Sequence, residues 1–104
     1  MVTVHIEHPV RDFETWKAAF DRDPADRRRS GVQRYTVQRP VDDPNYVVID
    51  LDFASVAEAE AFLVTMRQVW GSPQALQALA GGPQARIMNT EASEVVAATS
   101  TSLP

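Results

Sequence analysis

The stretch Tyr46–Phe53 constrains the fold of this chain more than any other part of the sequence. It is the only run dense enough in β-branched and aromatic residues to form a central strand. Successive side chains of a strand point to opposite faces of its sheet. One face therefore carries Val47, Ile49, Leu51 and Phe53, and the other carries Tyr46, Val48, Asp50 and Asp52. The first face is wholly apolar and requires a covering layer of helices, whereas a monomer would leave the mixed second face bare.

Length and composition exclude several classes of protein. A chain of 104 residues is one domain, and its net charge of −4 opposes nucleic acid as a partner. The only basic run, residues 27–29, has three aspartates nearby, and we interpret it as a solvated, self-compensated loop. The absence of cysteine excludes disulfides and thiolate sites. No membrane-length apolar segment and no basic-then-apolar leader occurs, so we expect a soluble, cytoplasmic protein without a membrane partner.

The first half of the chain predicts a strand, a helix and a hairpin. Residues 2–8 alternate apolar and polar side chains, as a half-buried strand does. Asp12 is a plausible N-cap, and an apolar stripe of Phe13, Trp16 and Phe20 then predicts a helix that ends before Pro24. Residues 32–39 form a more polar strand, suited to a sheet edge. The turn-forming residues 42–45 join it to the central strand.

The second half predicts two helices and a short strand. Residues 55–58 form a Ser-x-x-Glu capping box before a helix that runs to about Trp70. Residues 72–80 begin with Ser-Pro and predict a short helix. A fourth strand follows over residues 85–90. The tail, residues 93–104, is expected to be partly disordered or to contact a partner, with disorder beyond Ala98 and residues 95 and 96 free to add an edge strand.

The element order β-α-β-β-α-β predicts the ferredoxin-like fold over residues 1–92. This α+β fold has a four-stranded antiparallel sheet in the order 4-1-3-2, with both long helices on one face. We assign to the other face the side chains of Tyr46, Val48, Tyr35, Val37 and Ile87. Such a face is too apolar to remain wet, so we expect a homodimer in which two of these faces pair.

Several short segments resemble the dimeric α+β barrel superfamily. They are residues 8–17, Phe20-Asp21, Gly31-Val32, Arg39, residues 42–45, Asp52-Phe53 and Ala61-Phe62. The superfamily includes antibiotic-biosynthesis monooxygenases, polyketide cyclases, haem-degrading enzymes and small stress proteins, and the closer match is to short bacterial proteins often labelled cyclases. The resemblance covers residues 2–90 and departs from that group after Phe62, because residues 66–80 form a longer segment that includes Trp70.

The resemblance implies a pocket between the helices and the inner face of the sheet. Its implied substrate-binding residues are Phe13, Trp16, Phe20, Ile49, Leu51, Phe53, Phe62, Met66 and Trp70. An apolar pocket with few polar groups suits a flat, aromatic or polyketide-like molecule. The alternative is that these side chains simply fill the core, as aromatic residues commonly do.

The two histidines are expected to have different roles. His8 continues the apolar face of the first strand and lies at the pocket mouth, where it is either a general acid or base or a structural histidine. His5 faces the opposite side, so the two do not converge on a metal ion. We expect His5 to join Asp50 or Asp52 in a polar cross-strand cluster, with Arg34, Arg39 or Arg86 as a further member.

Two functions remain open from the sequence. The first is an enzyme with no metal or organic cofactor, a monooxygenase or cyclase in which His8 abstracts a proton from the substrate. The second is a non-catalytic or stress-related dimer that binds a small apolar molecule or stabilises another protein. Fold alone does not choose between them. Haem has only His8 as a candidate axial ligand and no second supporting feature.

Overall fold

The chain folds into an antiparallel sheet that carries its helices on one face. The computed structural model describes residues 1–97. Its elements are β1 (Val2–Pro9), α1 (Phe13–Asp21), β2 (Arg34–Gln38), β3 (Tyr46–Phe53), α2 (Val56–Trp70), α3 (Pro73–Ala78) and β4 (Gln84–Asn89). The strand order is β2-β3-β1-β4, which confirms the predicted ferredoxin-like topology. The disorder expected beyond Ala98 lies outside the described residues.

The helices begin at the residues that the capping patterns predict. The Asp12 side chain accepts a hydrogen bond from the Thr15 backbone N–H at 2.9 Å. Ser55 accepts one from the Glu58 N–H, and Ser72 accepts one from the Ala75 N–H, both at 3.2 Å. Each cap satisfies an amide that the helix itself leaves unpaired.

The ends of several elements differ slightly from the prediction. Strand β1 includes Pro9, whose carbonyl accepts a hydrogen bond from the Ala80 N–H. Helix α3 stops at Ala78 because Leu79 turns to an extended conformation and forms an isolated bridge with Val10. Residues 95 and 96 form no strand.

The core lies between the inner face of the sheet and the helices. In β1 and β3 every second side chain is buried, and the register joins Val4 to Leu51 and Ile6 to Ile49. Phe53 is fully buried, with its ring centroid 5.2 Å from that of Phe62 on α2. Burial of a side chain of this size stabilises the fold by about 1.5–3 kcal/mol. The central strands therefore hold the helix layer in place.

Three side chains lie on the opposite sheet face from the one that we predicted. Tyr35 pairs with Leu51, Val37 with Ile49, and Ile87 with Val4, and directly paired residues share a face. All three therefore face the helices, and the prediction that they cover the outer face is wrong. The open face, as we call the side without helices, carries mostly polar side chains. Those of its central strands are Thr3, His5, Glu7, Tyr46, Val48, Asp50 and Asp52, and its edge strands add Arg34, Thr36, Gln38, Gln84, Arg86 and Met88.

An ionic cluster centred on His5 occupies the middle of the open face. Its Nδ1 lies 2.6 Å from Asp50 Oδ1, and its Nε2 lies 2.8 Å from Glu7 Oε2. The Tyr46 hydroxyl donates to the other Glu7 oxygen at 2.7 Å. Because both imidazole nitrogens face carboxylates, both bonds form only when His5 is the doubly protonated imidazolium.

Only part of the predicted cluster membership is confirmed. Asp50 contacts His5, whereas Asp52 accepts from Thr3 at 2.7 Å and pairs with Arg34 at 3.3 Å. Arg39 is not a member, because its guanidinium lies 3.9 Å above the Phe13 ring. The Arg86 position lies opposite His5 in the β1–β4 register.

Titration of His5 is expected to make stability fall as pH rises. The hydrogen bond to Glu7, followed by the interactions with Asp50, raises the pKa of His5 above 6.5. Its stabilising contribution is therefore complete below pH 6.5 and is lost as pH rises through the raised pKa. In urea unfolding at fixed protein concentration, the stability difference between the wild type and His5→Gln should be largest below pH 6.5 and should shrink in alkali.

A second variant checks the cause of this pH dependence. Glu7→Gln removes the largest cause of the raised pKa, so the pH dependence attributed to His5 should move toward that of an ordinary imidazole. A stability difference that stays constant with pH would contradict the assignment of His5 as an imidazolium.

Candidate active site

A cavity of about 480 Å3 lies between the helices and the inner face of the sheet. This volume is in the usual range for small-molecule sites. Seven of the predicted pocket residues line it, namely Trp16, Phe20, Ile49, Leu51, Phe62, Met66 and Trp70. Its wall is formed by the sheet, by helices α1, α2 and α3, and by the loop before β2.

Two of the predicted pocket residues do not line the cavity. Phe53 lies deeper, against Phe62, with no exposed surface. Phe13 is on the outer end of the aromatic stripe, 5.9 Å from Trp16 and beneath Arg39. Both side chains pack around the cavity wall instead of forming it.

His8 lies on the cavity wall, and only 2% of its surface is exposed. Its Nδ1 is 3.0 Å from the Pro9 carbonyl oxygen. A carbonyl only accepts hydrogen bonds, so Nδ1 carries the proton and Nε2 keeps its lone pair. Within residues 1–97, Nε2 has no hydrogen-bond partner.

Burial keeps His8 neutral near pH 7. Removal from water lowers its pKa below 6.5, and the hydrogen bond to Pro9 opposes this effect only in part. A neutral imidazole with one nitrogen anchored and the other free has the form of a general base.

A row of stacked side chains runs from His8 along one wall of the cavity. The Trp16 ring lies edge-on to His8, with centroids 6.0 Å apart. Phe20 stacks on Trp16 at 5.1 Å, and the Arg27 guanidinium lies 4.0 Å above the Phe20 ring. The row therefore connects a neutral base at one end to a cation at the other.

The loop before β2 contributes wall residues that the sequence analysis missed. Arg22, Pro24, Ala25 and Arg27 all line the cavity. Two non-glycine residues of this loop, Asp23 and Asp26, have positive φ, and aspartate tolerates this conformation better than most residues. The loop returns to α1, where Arg27 contacts the carbonyl and the ring of Phe20.

The prediction that the whole basic run is solvated is wrong for Arg27. Its side chain is only 16% exposed, and NH1 donates to the Phe20 carbonyl at 2.8 Å. The Arg29 side chain is 88% exposed and makes a long contact with Asp26, as expected of a solvated charge. Two arginines of the same basic run therefore differ strongly in burial, which the sequence alone does not indicate.

The remaining wall residues come mainly from α3 and its preceding turn. They are Ser72, Gln74, Ala75, Ala78 and Leu79, together with Ile6, Ala19 and Val69 from earlier elements. The alternation of β1 was sufficient to place Ile6 on the inner face. The α3 residues carry no signal for a pocket, because a short helix of small side chains is equally suited to cover a solid core.

The described part of the chain holds neither a cluster of metal ligands nor a membrane-spanning helix. Within residues 1–97, no three His, Asp or Glu side chains are grouped closely enough to hold a metal ion. His5 and His8 lie on opposite faces of β1, as predicted.

Comparison with known proteins gives similarity of structure but not of sequence. No family model matches the chain, and no curated protein matches it significantly. SnoaB from Streptomyces nogalater, described as a cofactor-independent oxygenase, superposes with a TM-score of 0.71 at 16% identity, over 88% of this chain and 94% of SnoaB.

Two other solved structures are similar. A putative antibiotic biosynthesis monooxygenase from Nitrosomonas europaea has a TM-score of 0.55 at 14% identity, covering 88% of this chain and 100% of that one. A dimeric ferredoxin-like protein from an uncultured marine organism has a TM-score of 0.61 at 11% identity, covering 89% and 97%. This chain therefore has a ferredoxin-like fold, and the structures similar to it include antibiotic-biosynthesis monooxygenase-like proteins.

Proposed function

We propose that this protein is a cofactor-independent monooxygenase that acts on an aromatic, polyketide-like molecule. The observation that carries the proposal is His8, a buried neutral imidazole on the wall of a largely apolar cavity of about 480 Å3. The likeness in fold to SnoaB supports the same reaction class.

In the proposed reaction, His8 Nε2 takes the proton of a phenol or enol. The resulting anion is electron-rich at carbon and reacts with molecular oxygen, which supplies one oxygen atom to the product and leaves the other as water. The substrate itself provides the electrons, as when a phenol with a free ring position becomes a quinone. The protein then has to supply a base, an orientation and a site shielded from bulk water.

The aromatic walls suit the orientation of such a substrate. Trp16, Phe20 and Trp70 offer ring faces and edges, while Ile49 and Leu51 close the sheet side. A flat ring system lying against Trp16 would present its hydroxyl group to His8. Ring stacking favours an offset or edge-on arrangement of this kind.

Substitution of His8 by glutamine tests the proposed base. Glutamine keeps a similar size and a donor for the Pro9 carbonyl, but it cannot accept a proton at neutral pH. Oxygen uptake with naphthols and anthrones should fall about a hundredfold or more, because general bases contribute at least that much. In the wild type, the rate should also fall below pH 6.5 as His8 becomes protonated, since its pKa lies below that value.

The matched control is His5→Gln, which makes the same change on the other face of β1 and does not touch the cavity. It should retain turnover. Equal activity of His8→Gln and the wild type would contradict the proposed base. Ligand binding without turnover across the panel would instead support the second function, a non-catalytic binding protein.

We also propose that the open face pairs with a second copy of this chain. No helix within residues 1–97 covers this face, and a protein of the same fold is described as dimeric. The polar composition of the face indicates an interface held partly by ionic and hydrogen-bonding groups, around apolar contacts such as Val48 and Met88. Interfaces of this kind weaken with salt.

Light scattering tests the dimer directly. At micromolar concentration the mass should be about twice 11.5 kDa. Val48→Arg should shift the protein toward the monomer, because it places a bulky charge in the centre of the interface. Val64→Arg is the control, since Val64 is 56% exposed on α2 and lies on the helix side. A wild type that remains monomeric, or equal masses for both variants, would contradict the proposal.

A further inference from the structure

We propose that Arg27 binds an acidic group of the aromatic ligand, at the end of the cavity opposite His8. The inference rests on the proposed function, which places the reacting end of the ligand at His8. It adds that the opposite end of the ligand carries an acidic group. The ligand would be an aromatic anion, carrying either a carboxylate or an ionised phenol. The anion site can be tested by binding alone, without turnover.

The guanidinium of Arg27 is held in a defined position. It lies 4.0 Å from the Phe20 ring centroid and 4.9 Å from that of Tyr35, so aromatic faces on α1 and β2 fix its plane. NH1 also donates to the Phe20 carbonyl. An arginine held in this way loses little further conformational freedom when it binds an anion.

Arg27 has hydrogen-bonding capacity left for a ligand. A guanidinium has five N–H donors, and the contacts of Arg27 to Phe20 and to Asp23 both use NH1. The Asp23 contact is long, at 3.4 Å, and the Asp23 side chain is 35% exposed. Nε and NH2 have no hydrogen-bond partner in the described part of the chain.

The charge distribution around the cavity favours an anion. The chain has 14 acidic and 10 basic residues, yet none of the described residues that line the cavity is an aspartate or glutamate. The ionisable groups on the wall are Arg22, Arg27 and the neutral His8. A buried or half-buried anion is stable only beside a cation or hydrogen-bond donors, and this wall supplies both at the Arg27 end.

The row of rings sets the orientation of the ligand. Steps of 6.0 Å, 5.1 Å and 4.0 Å lead from His8 through Trp16 and Phe20 to Arg27. A fused-ring molecule lying along this row would reach the base with one end and the guanidinium with the other. Arg27 would thus be a specificity-determining residue that decides which end of the ligand faces His8.

Calorimetric titration of three matched probes tests the inference on the wild type. The probes are naphthoate, its neutral methyl ester, and a dinitronaphthol that is ionised at neutral pH. A charge-assisted hydrogen bond should make naphthoate bind about tenfold or more tightly than its ester. A preference confined to the dinitronaphthol would identify a phenolate as the recognised group. Equal or tighter binding of the ester, with no preference for either anion, would overturn the inference.

Variants of Arg27 test whether this residue causes the tighter binding of the anion. Arg27→Gln should abolish the preference for the anion while leaving binding of the ester within about twofold, and Arg27→Lys should restore part of it. Arg28→Gln is the matched control, because Arg28 is an exposed neighbour that does not line the cavity. The ratio of anion to ester binding is informative even if a variant is less stable, since both probes meet the same protein. An unchanged ratio in Arg27→Gln would overturn the assignment.

These outcomes are separable from those of the proposed function. If the Arg27-dependent preference is found but no oxygen uptake occurs, the anion site stands and the monooxygenase proposal fails. If naphthols are oxidised in a reaction that depends on His8, but naphthoate and the dinitronaphthol show no Arg27-dependent preference over the ester, the anion site fails and the monooxygenase proposal stands.

Discussion

The pairing of β1 with β3 is the constraint on which the rest of this structure depends. Its register joins His5 to Asp50 and His8 to Val47, and thereby decides which side chains face the helices. A shift by one residue would exchange the two faces completely. It would bury the acidic side chains of β3 under the helices and expose the apolar ones. The cost of burying unpaired carboxylates makes the observed register the stable one.

This register gives two histidines of one strand opposite electrostatic behaviour. His5, on the open face, has its pKa raised by carboxylates, whereas burial lowers the pKa of His8. The His5 contribution to stability is lost as pH rises through its raised pKa. His8 has the opposite effect. As pH falls below 6.5, His8 of the unfolded chain binds a proton more readily than the buried His8 of the folded chain, so the free energy of unfolding decreases. The strand therefore separates an ionic, structural position from a neutral position suited to chemistry.

Local signals in the sequence were sufficient for most of the fold. The alternation of Tyr46–Phe53, the caps at Asp12, Ser55 and Ser72, and the element order predicted the sheet and its topology. The prediction is wrong for the edge-strand side chains Tyr35, Val37 and Ile87, although β2 itself alternates in the correct sense. Tyr35 and Val37 share one face, with Arg34, Thr36 and Gln38 on the other. This separation of apolar from polar side chains in β2 indicates that Tyr35 and Val37 face the helices.

The candidate site was less predictable because much of its wall is formed by segments without periodicity. Hydrophobic stripes on α1 and α2 identify side chains that point inward, but they do not distinguish a filled core from a cavity. Helix α3 lies against both α1 and α2, and the loop before β2 contributes further residues to the cavity wall. In that loop, the contacts of Arg27 with the rings of Phe20 on α1 and Tyr35 on β2 make a charged residue of a hydrophilic run part of the wall. Stacking on the two rings compensates the Arg27 guanidinium for its lost hydration. The Arg29 side chain remains 88% exposed. The chemical character of the cavity thus depends on tertiary contacts that no local pattern encodes.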